Sequence, residues 1–471
     1  MGSKIFTGLI VFSRIFVGAV FIVSGMVKAN DTLGFSYKLE EYFSEAAFGW
    51  TFFEPYSLLM AALVSCGEMI LGFAILFGGK PKLTVWLLLL LTVFFGFLTY
   101  YTATCDPNAT YTVVEAGKEV QRPVQCVTDC GCFGDALKGT IGRSLTPWES
   151  FYKDMVLLFF VLILFIGMYA KKHSIRLNDR KDDVIILGGA TVVLVLLAGY
   201  FFQWWFPVVF ALACFAVYLV LKRNFIPKLG TDWTVAIAIS LASFGFAWYT
   251  YNYLPVKDFT PYAVGKNIPE QMKSAQELGL EPPVYAFMYH IKNKKTGEER
   301  AVRSDEWLAN KELQVDPWEF KSADPNQIKV KDGYIPPIPA LSLYLETDSG
   351  SVDIAPFIIN NPKQIVLLMV MTNLENTKTG KIEEMKTLQK EAFKKRYLFY
   401  VATSAGPVEC MAFNKKHKSQ FVFVNGDEQG ILKPMVRSNP GLLVLHKGVI
   451  LGKWHYNTLP DMNEINELVK E

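Results

Sequence analysis

Long apolar runs dominate the first 250 residues of the chain and are missing from the remainder. Each run has about the 20 residues that a helix needs to cross a bilayer. The pattern predicts a polytopic α-helical membrane protein with about seven spanning helices, of which the sixth is the shortest. The seven runs are Ile5–Val27, Tyr56–Gly78, Leu83–Tyr101, Phe151–Ala170, Val184–Phe202, Val208–Leu221 and Trp233–Trp248.

The pattern changes after the seventh run. Residues 252–337 contain prolines and turn dipeptides, which predict short strands and loops. From residue 338 onward strands and helices alternate, and Ile365–Met371 is a continuous apolar run of the kind found in buried parallel strands. The predicted order is βαβαβ, then a helix, a hairpin and a last helix, which is the order of a thioredoxin fold. Its elements are Ala340–Glu346, Ile365–Met371, Ile382–Lys395, Tyr397–Thr403, Val408–Lys416, Gln420–Val424, Glu428–Val436, the hairpin Leu442–Leu445 and Val449–Trp454, and Met462–Val469.

A thioredoxin fold has a cis-proline before its hairpin, and Pro440 takes that place here, after Asn439. The proline faces a Cys-x-x-Cys at a helix N-terminus, where backbone amides lower the thiol pKa. In this chain the corresponding position begins at Thr372 and reads Thr-Asn-Leu-Glu-Asn, without cysteine. We therefore expect residues 338–471 to form a soluble α/β thioredoxin-like domain without dithiol chemistry. A groove that binds partners is expected around Thr372, Asn439 and Pro440. Cys410, in the next helix, is expected to be an inert packing residue.

Four of the seven cysteines lie in one polar loop, residues 102–149, which we call the cysteine loop. In one interpretation Cys130 and Cys132 cycle between dithiol and disulfide, because a Cys-x-Cys ring is small and its disulfide relatively oxidising. Cys126 or Cys105 would then be the resolving thiol.

Two other interpretations of the loop stay open. Its cysteines can form two fixed disulfides, for example Cys105–Cys126 and one within the cluster, and four cysteines allow three pairings. A metal site is disfavoured, since Cys-x3-Cys-x-Cys is not a zinc spacing and no histidine is near. We expect no metal.

Basic residues predict the orientation of the membrane part. With the N-terminus in the cytoplasm, the inner segments carry 11 Lys and Arg in 32 residues, and the outer ones carry 6 in 81. This places the cysteine loop and the C-terminal half in the periplasm of a Gram-negative cell, with the protein in the inner membrane. The net charge of +3 is too small to suggest nucleic acid as a partner.

Polar residues within the apolar runs add two predictions. Arg14 and Glu68 each lie about 14–15 Å from the cytoplasmic ends of their helices, so we expect a buried ion pair. The pair is interpreted either as structural or as a proton or substrate relay beneath the loop. Within residues 28–55, apolar positions at helical spacing predict an amphipathic helix on the outer membrane surface, which could roof the bundle or serve as a connector.

Residues spread over 4–170 together match the pattern of a known family. They are Arg14, Gly18, Phe21, Ser24, Gly25, Lys28, Glu68, Gly72, Gly78, Gly79, Cys130, Gly131, Cys132, Phe133, Gly134, Asp135, Lys153 and Asp154. By these residues the stretch 4–170 resembles the DoxX/MauE-like family of redox-associated membrane proteins, which gives a first domain over 1–171 and extra helices over 184–250. The whole chain looks like the larger DoxX-family proteins of Bacteroidota. The resemblance implies a four-helix bundle comparable to vitamin K epoxide reductase, which passes electrons from dithiols to quinone, and MauE-type proteins are associated with disulfide formation in periplasmic partners.

Two functions from different classes follow. The first is an inner-membrane thiol:disulfide oxidoreductase, or an accessory to one, that acts on exported proteins with quinone as the implied electron acceptor. The second is a non-catalytic scaffold of an envelope complex with static disulfides, which the missing Cys-x-x-Cys favours. In both, the partners are membrane lipid and periplasmic proteins.

Overall fold

The computed structural model describes residues 2–115, 118–127, 131, 133, 136–137, 140, 143–169, 175–223, 231–361 and 363–470. In that part of the chain six helices are long and apolar enough to cross a membrane, and a seventh, shorter one is apolar over Phe206–Lys222. A membrane helical region of the predicted kind is therefore confirmed. The helices are α1 (Gly2–Asn30), α2 (Thr32–Phe43), α3 (Ser57–Phe77), α4 (Pro81–Thr104), α5 (Pro147–Tyr169), α6 (Arg180–Leu194, continued by a π-helical stretch Val195–Phe201), α7 (Phe206–Arg223) and α8 (Thr231–Tyr253).

Glycines allow α1 and α3 to pack closely and antiparallel to each other. A Cβ atom at Gly25 would lie 2.7 Å from the carbonyl oxygen of Ser65, and one at Gly72 would lie 2.8 Å from the carbonyl oxygen of Gly18. In a bilayer, where lipid is as apolar as the side chains, such backbone contact is a main source of helix association. The spaced glycines of the first two apolar runs are therefore explained by this interface.

Helix α2 covers the end of the bundle at which α1 ends and α3 begins, which we call the loop end. Asp31 caps α2 by accepting a hydrogen bond from the Gly34 amide at 2.9 Å. Phe35 and Leu39 are buried against α3, and the Tyr42 hydroxyl lies 2.7 Å from Thr102 Oγ1 on α4. The amphipathic helix predicted within 28–55 is thus present, and its apolar face packs on the bundle.

Two small sheets follow the membrane region, in agreement with the predicted short strands and loops of residues 252–337. One has the order β5-β4-β6 and the other pairs β3 with β7. These strands are preceded in the chain by the cysteine-loop hairpin of β1 (Thr110–Glu115) and β2 (Lys118–Pro123). The bounds are β3 (Val284–Ala286), β4 (Met288–Asn293), β5 (Glu299–Arg303), β6 (Trp318–Ala323) and β7 (Ile328–Lys331), with short helices α9 (Ile268–Gln271) and α10 (Ser304–Ala309).

The C-terminal domain is built on a seven-stranded sheet of order β14-β13-β10-β11-β12-β8-β9. The central strand β10 is buried at every residue and runs parallel to β11, as its apolar run predicts. Its two faces alternate between two hydrophobic clusters on opposite sides of the sheet. The strands are β8 (Tyr344–Thr347), β9 (Gly350–Asp353), β10 (Ile365–Val370), β11 (Leu398–Thr403), β12 (Phe423–Asn425), β13 (Gly441–His446) and β14 (Val449–His455), and the helices are α11 (Ala355–Asn360), α12 (Ile382–Lys394), α13 (Pro407–His417), α14 (Lys433–Met435) and α15 (Met462–Lys470).

Some predicted bounds in this domain are wrong. The strand predicted over Ala340–Glu346 is limited to β8, which joins the sheet through the pair Asn425–Tyr344. The helix predicted over Glu428–Val436 is a π-helical turn, Glu428–Leu432, followed by the short α14. Apolar residues of this stretch are buried whichever turn the backbone makes, so their spacing did not distinguish a regular helix from a π-turn.

Candidate functional site

A disulfide joins Cys105, at the end of α4, to Cys126, after the loop hairpin. The residues beside Cys126 tie the loop to the bundle. The amide of Gln125 donates to the carbonyl oxygen of Ala46 at 3.0 Å, and Val127 is buried beside Tyr42. The disulfide is the pairing that the structural interpretation of the loop names, and it places these two sulfurs against the segment at the end of α2.

The Cys-Gly-Cys part of the loop is only partly described, because Cys130 and Cys132 lie outside the described residues. Between them, a Cβ at Gly131 would meet Lys38 Cγ of α2 at 3.2 Å and Phe35 at 3.7 Å. Phe133, on the other side, lies 5.0 Å from Lys153 Nζ of α5 and packs on Phe202. The described neighbours of the two cysteines thus lie at the loop end of the bundle.

A buried ion pair lies beneath this part of the loop. Lys28 Nζ is 2.8 Å from each carboxylate oxygen of Glu68 and donates to Ser24 Oγ at 2.7 Å. The ammonium group also lies 4.7 Å from the ring of Phe95 and 5.6 Å from that of Phe35. The three donors of the lysine and both oxygens of the carboxylate therefore have partners, as the burial of two charges requires.

The predicted Arg14–Glu68 pair is wrong. Arg14 donates to the carbonyl oxygens of Ile75 and Leu76 at 3.0 and 3.1 Å, and to Asn178 Oδ1 at 2.7 Å. It therefore caps the C-terminus of α3, where unpaired carbonyls and the negative end of the helix dipole favour a cation.

The depth argument failed because α1 extends beyond the end of α3. Gly18 faces Gly72, which places Ser24, not Arg14, at the level of Glu68. The two charges are about ten residues apart along the bundle, or roughly 15 Å. Counting residues from the cytoplasmic end of each helix assumes that these two ends lie at the same level.

A second buried carboxylate lies on α5, near the loop. Asp154 is 2% exposed; it accepts a hydrogen bond from Thr99 Oγ1 at 3.0 Å and pairs with Lys153 at 2.9 Å. Asp154 belongs to the interior of the bundle, whereas Lys153 reaches toward Phe133 of the loop.

The residues of the predicted partner groove are brought together in the C-terminal domain. The Asn439–Pro440 peptide bond is cis. Asn439 Nδ2 donates to the Asn373 carbonyl oxygen at 3.0 Å, and Ser404 Oγ donates to that of Thr372 at 2.7 Å. Thr372 and Pro440 are buried, and Asn439 is half-buried.

The other cysteines of the chain are free and buried: Cys66, Cys214 and Cys410. Burial raises the pKa of the Cys410 thiol to about 11, which agrees with an inert packing residue. Within the described ranges no group of three or more His, Cys, Asp or Glu side chains is arranged to hold a metal ion.

Sequence reasoning missed two ion pairs between residues far apart in the chain, of which the first joins the C-terminal domain to the membrane region. Arg437 Nε donates to both carboxylate oxygens of Asp31 at 2.8 and 2.9 Å, and Lys453 Nζ lies 2.6 Å from Asp258 Oδ2. Charges 406 and 195 residues apart carry no local pattern that would pair them.

One of three comparisons with known proteins finds a match, and that match lies in the membrane region. Residues 7–108 match the family model described as "Methylamine utilisation protein MauE", a stretch that includes Arg14, Lys28, Glu68 and Cys105 and ends before Cys126. No curated protein and no solved structure matches the chain. The N-terminal part of this chain is thus similar to MauE, and with its apolar helices it is a MauE-like region of a multi-pass membrane protein.

Proposed function

We propose that the protein is a thiol:disulfide redox protein of the inner membrane, or an accessory to one, that serves the maturation of exported proteins. The observation that carries this proposal is the position of the cysteine loop at the mouth of a MauE-like bundle, directly above a buried ion pair. The Cys105–Cys126 disulfide is the oxidised form of one pair of sulfurs in that loop. Cys130 and Cys132 are proposed as the second pair, which exchanges with a client.

The proposed chemistry is disulfide exchange. A client thiolate attacks one sulfur of the loop disulfide, a mixed disulfide forms, and the displaced loop sulfur leaves as a thiolate. The second client thiolate then releases an oxidised client and a reduced loop. Two electrons have passed to the loop, and a quinone in the membrane is proposed to accept them. The Lys28 ammonium and the Glu68 carboxylate are proposed to keep the buried site beneath the loop electrically neutral.

The C-terminal domain is proposed to be thioredoxin-like and to dock partners without exchanging thiols. Parallel β10 and β11, antiparallel β13 and β14, and Pro440 before β13 support this proposal. The periplasmic side is proposed for the loop and this domain, on the distribution of basic residues.

The test is thiol trapping of the full-length protein in membrane vesicles, with and without an added quinone. We expect Cys130 and Cys132 to shift between reduced and oxidised forms when a dithiol client and quinone are supplied in turn. Cys105→Ala and Cys130→Ala variants assign the bands. A loop that stays in one redox state under all conditions contradicts the catalytic proposal.

The alternative function is a non-catalytic scaffold with static disulfides. The fixed position of the Cys105–Cys126 bond against the end of α2, together with the cysteine-free turn opposite Pro440, favours this candidate. It predicts that the C105A/C126A variant loses assembly with its envelope partners, in a pull-down from cross-linked membranes, in parallel with a loss of loop order.

A further inference from the structure

Helix α2 is the element that the three parts of the molecule share. One face, with Phe35 and Leu39, is buried on the bundle, and another faces the C-terminal domain through Asp31, Tyr37 and Glu40. The cysteine loop contacts it at Lys38 and Tyr42. A displacement of α2 would therefore reach the loop, because buried contacts connect all three.

Charged residues hold the C-terminal domain on α2. Arg437, 9% exposed, binds both oxygens of Asp31, the same side chain that caps α2. Lys433 Nζ lies 4.4 Å from the centre of the Tyr37 ring and 3.5 Å from Glu40. Burial raises the pKa of Tyr37, so the phenol stays neutral beneath the two cations. The Nε–H group of Arg437 is shared between the two oxygens of Asp31, and its Nη1 donates to the Lys433 carbonyl oxygen, so the guanidinium is held at two of its nitrogens.

The same contacts lie directly before the strand that begins after Pro440. Arg437 and Lys433 belong to the stretch between β12 and β13, and Ser438 Oγ accepts a hydrogen bond from the Tyr456 amide at 2.9 Å. Two basic residues that precede Pro440 in the chain, Lys433 and Arg437, therefore contact a helix of the same protein.

We propose that α2 is a coupling helix and that Arg437 is a positioning residue for the cysteine loop: its bond to Asp31 holds α2 against the loop and so limits the rate at which the loop disulfide exchanges. This coupling proposal depends on the proposed redox function in one respect, namely that the disulfide exchange serves a client protein. The step that is measured is reduction of Cys105–Cys126, the disulfide that the structure describes, which reports on the loop, whereas exchange with a client is proposed at Cys130 and Cys132. A dithiol thiolate bonds to one of the two sulfurs while the Cys105–Cys126 bond breaks and the other sulfur leaves as a thiolate. The second thiol of the reagent then displaces the first sulfur, so the dithiol supplies both electrons.

The experiment uses the full-length protein in nanodiscs, with Cys66, Cys214 and Cys410 replaced by alanine. The rate at which dithiothreitol reduces Cys105–Cys126 is followed by labelling with a maleimide and peptide mass spectrometry, which assigns the label to each of the four loop cysteines. We expect R437Q and D31N to raise this rate roughly three- to tenfold. The rate for R437K should lie between the rate for these two variants and the rate for the parent. D31N is the sharper variant, since asparagine still caps α2 and only the ion pair is lost.

The matched control is K453Q, which removes a second ion pair of the domain with little side-chain exposure, that with Asp258 of the linker after α8. We expect it to loosen the domain in limited proteolysis and to leave the reduction rate within about twofold of the parent. Equal rates in D31N, R437Q and the parent would overturn the proposal, and so would an equal rise in K453Q.

The two proposals fail separately. If the parent loop never changes redox state with client and quinone, the proposed function is wrong, whereas the rate of reduction by dithiothreitol still measures the coupling. If the parent turns over and D31N reduces at the parent rate, the coupling is wrong and the function stands.

Discussion

Two turns of this molecule occupy places suited to thiol chemistry, and only one of them carries thiols. The cysteine loop, at the mouth of a helical bundle, has four cysteines and a disulfide between Cys105 and Cys126. The turn after β10, opposite Pro440, has none, and its residues Thr372 and Asn373 bond to neighbouring turns through their carbonyl oxygens.

In the proposed function, this difference would divide the work of a redox protein between the two halves of the molecule. A helix N-terminus lowers a thiol pKa through its free amides. After β10, however, the next helix, α12, begins only at Ile382, so a thiol at residue 373 would not face a helix N-terminus. In that proposal, the sheet of the C-terminal domain provides the surface on which partners dock. The cysteine loop, next to the buried Lys28–Glu68 pair, provides the reactive sulfurs.

The largest expected effect comes from the charges beneath the loop. Glu68→Gln leaves the Lys28 ammonium buried without its counter-ion, which we expect to destabilise the bundle by about 3–5 kcal/mol. Unfolding in mixed SDS micelles measures the loss. The double variant K28M/E68L should be much closer to the parent, because no charge stays unpaired. Equal stability of E68Q and the parent would contradict the paired burial of these groups.

The next effect concerns the covalent bond of the loop. Replacing both Cys105 and Cys126 by alanine is expected to destabilise the loop hairpin by about 3 kcal/mol, since the bond closes a 21-residue segment. Hydrogen exchange at the hairpin amides should rise, while exchange in β10 should not. The variant C66A/C214A, which removes buried free thiols only, is the control. A faster exchange in both regions would show that the loop and the sheet are not independent.

A smaller effect is expected from pH on the C-terminal domain. Burial and the nearby Lys378 lower the pKa of His455 to about 4, and its Nδ1 accepts from the Asn457 amide at 3.1 Å. The unfolded chain binds the proton first as pH falls, so stability is full above about pH 6.5 and declines toward pH 4, by up to about 3 kcal/mol.

Thermal unfolding of the full chain between pH 4 and 7 measures this dependence. His455→Gln should flatten the pH dependence over that range, and His173→Gln, a change in a histidine far along the chain, should leave it intact. A parent protein whose unfolding temperature is the same at pH 4.5 and 6.5 would count against the buried neutral histidine.

The smallest effect is expected from adding thiols to the C-terminal turn. In N373C/N376C the new cysteines should have pKa values near the ordinary 8.5, because no helix begins there. The pH dependence of alkylation by iodoacetamide gives the pKa. A pKa near 7 together with reversible oxidation by glutathione would contradict the claim that the turn after β10, unlike the cysteine loop, does not activate thiols.

Much of the fold could be predicted from the sequence where local pattern decides it. Apolar runs of spanning length gave the membrane helices, and the apolar run Ile365–Met371 gave β10. The alternation after residue 338 gave β11, the hairpin and the last helix within a few residues. The π-turn at Glu428–Leu432 and the limits of β8 were missed, because burial constrains which residues face inward and not how many residues form a turn.

The candidate site was predictable only in part. The cysteines and the buried charges stand out by type, since few polar residues lie in apolar runs. Their partners do not. Arg14 was expected beside Glu68. Because α1 and α3 are offset along the bundle, Glu68 instead pairs with Lys28, and Arg14 binds carbonyl oxygens at the end of α3.

The sequence by itself determined which segments enter the membrane, which strand lies at the centre of the sheet and that the second thiol position is empty. Each of these follows from the burial or chemistry of residues close together in the chain. The tertiary structure alone decided that Lys28 pairs with Glu68, that Cys105 joins Cys126 and that Arg437 reaches Asp31. These contacts depend on the register of packed helices and on how the domain lies on them, and no local pattern encodes that register.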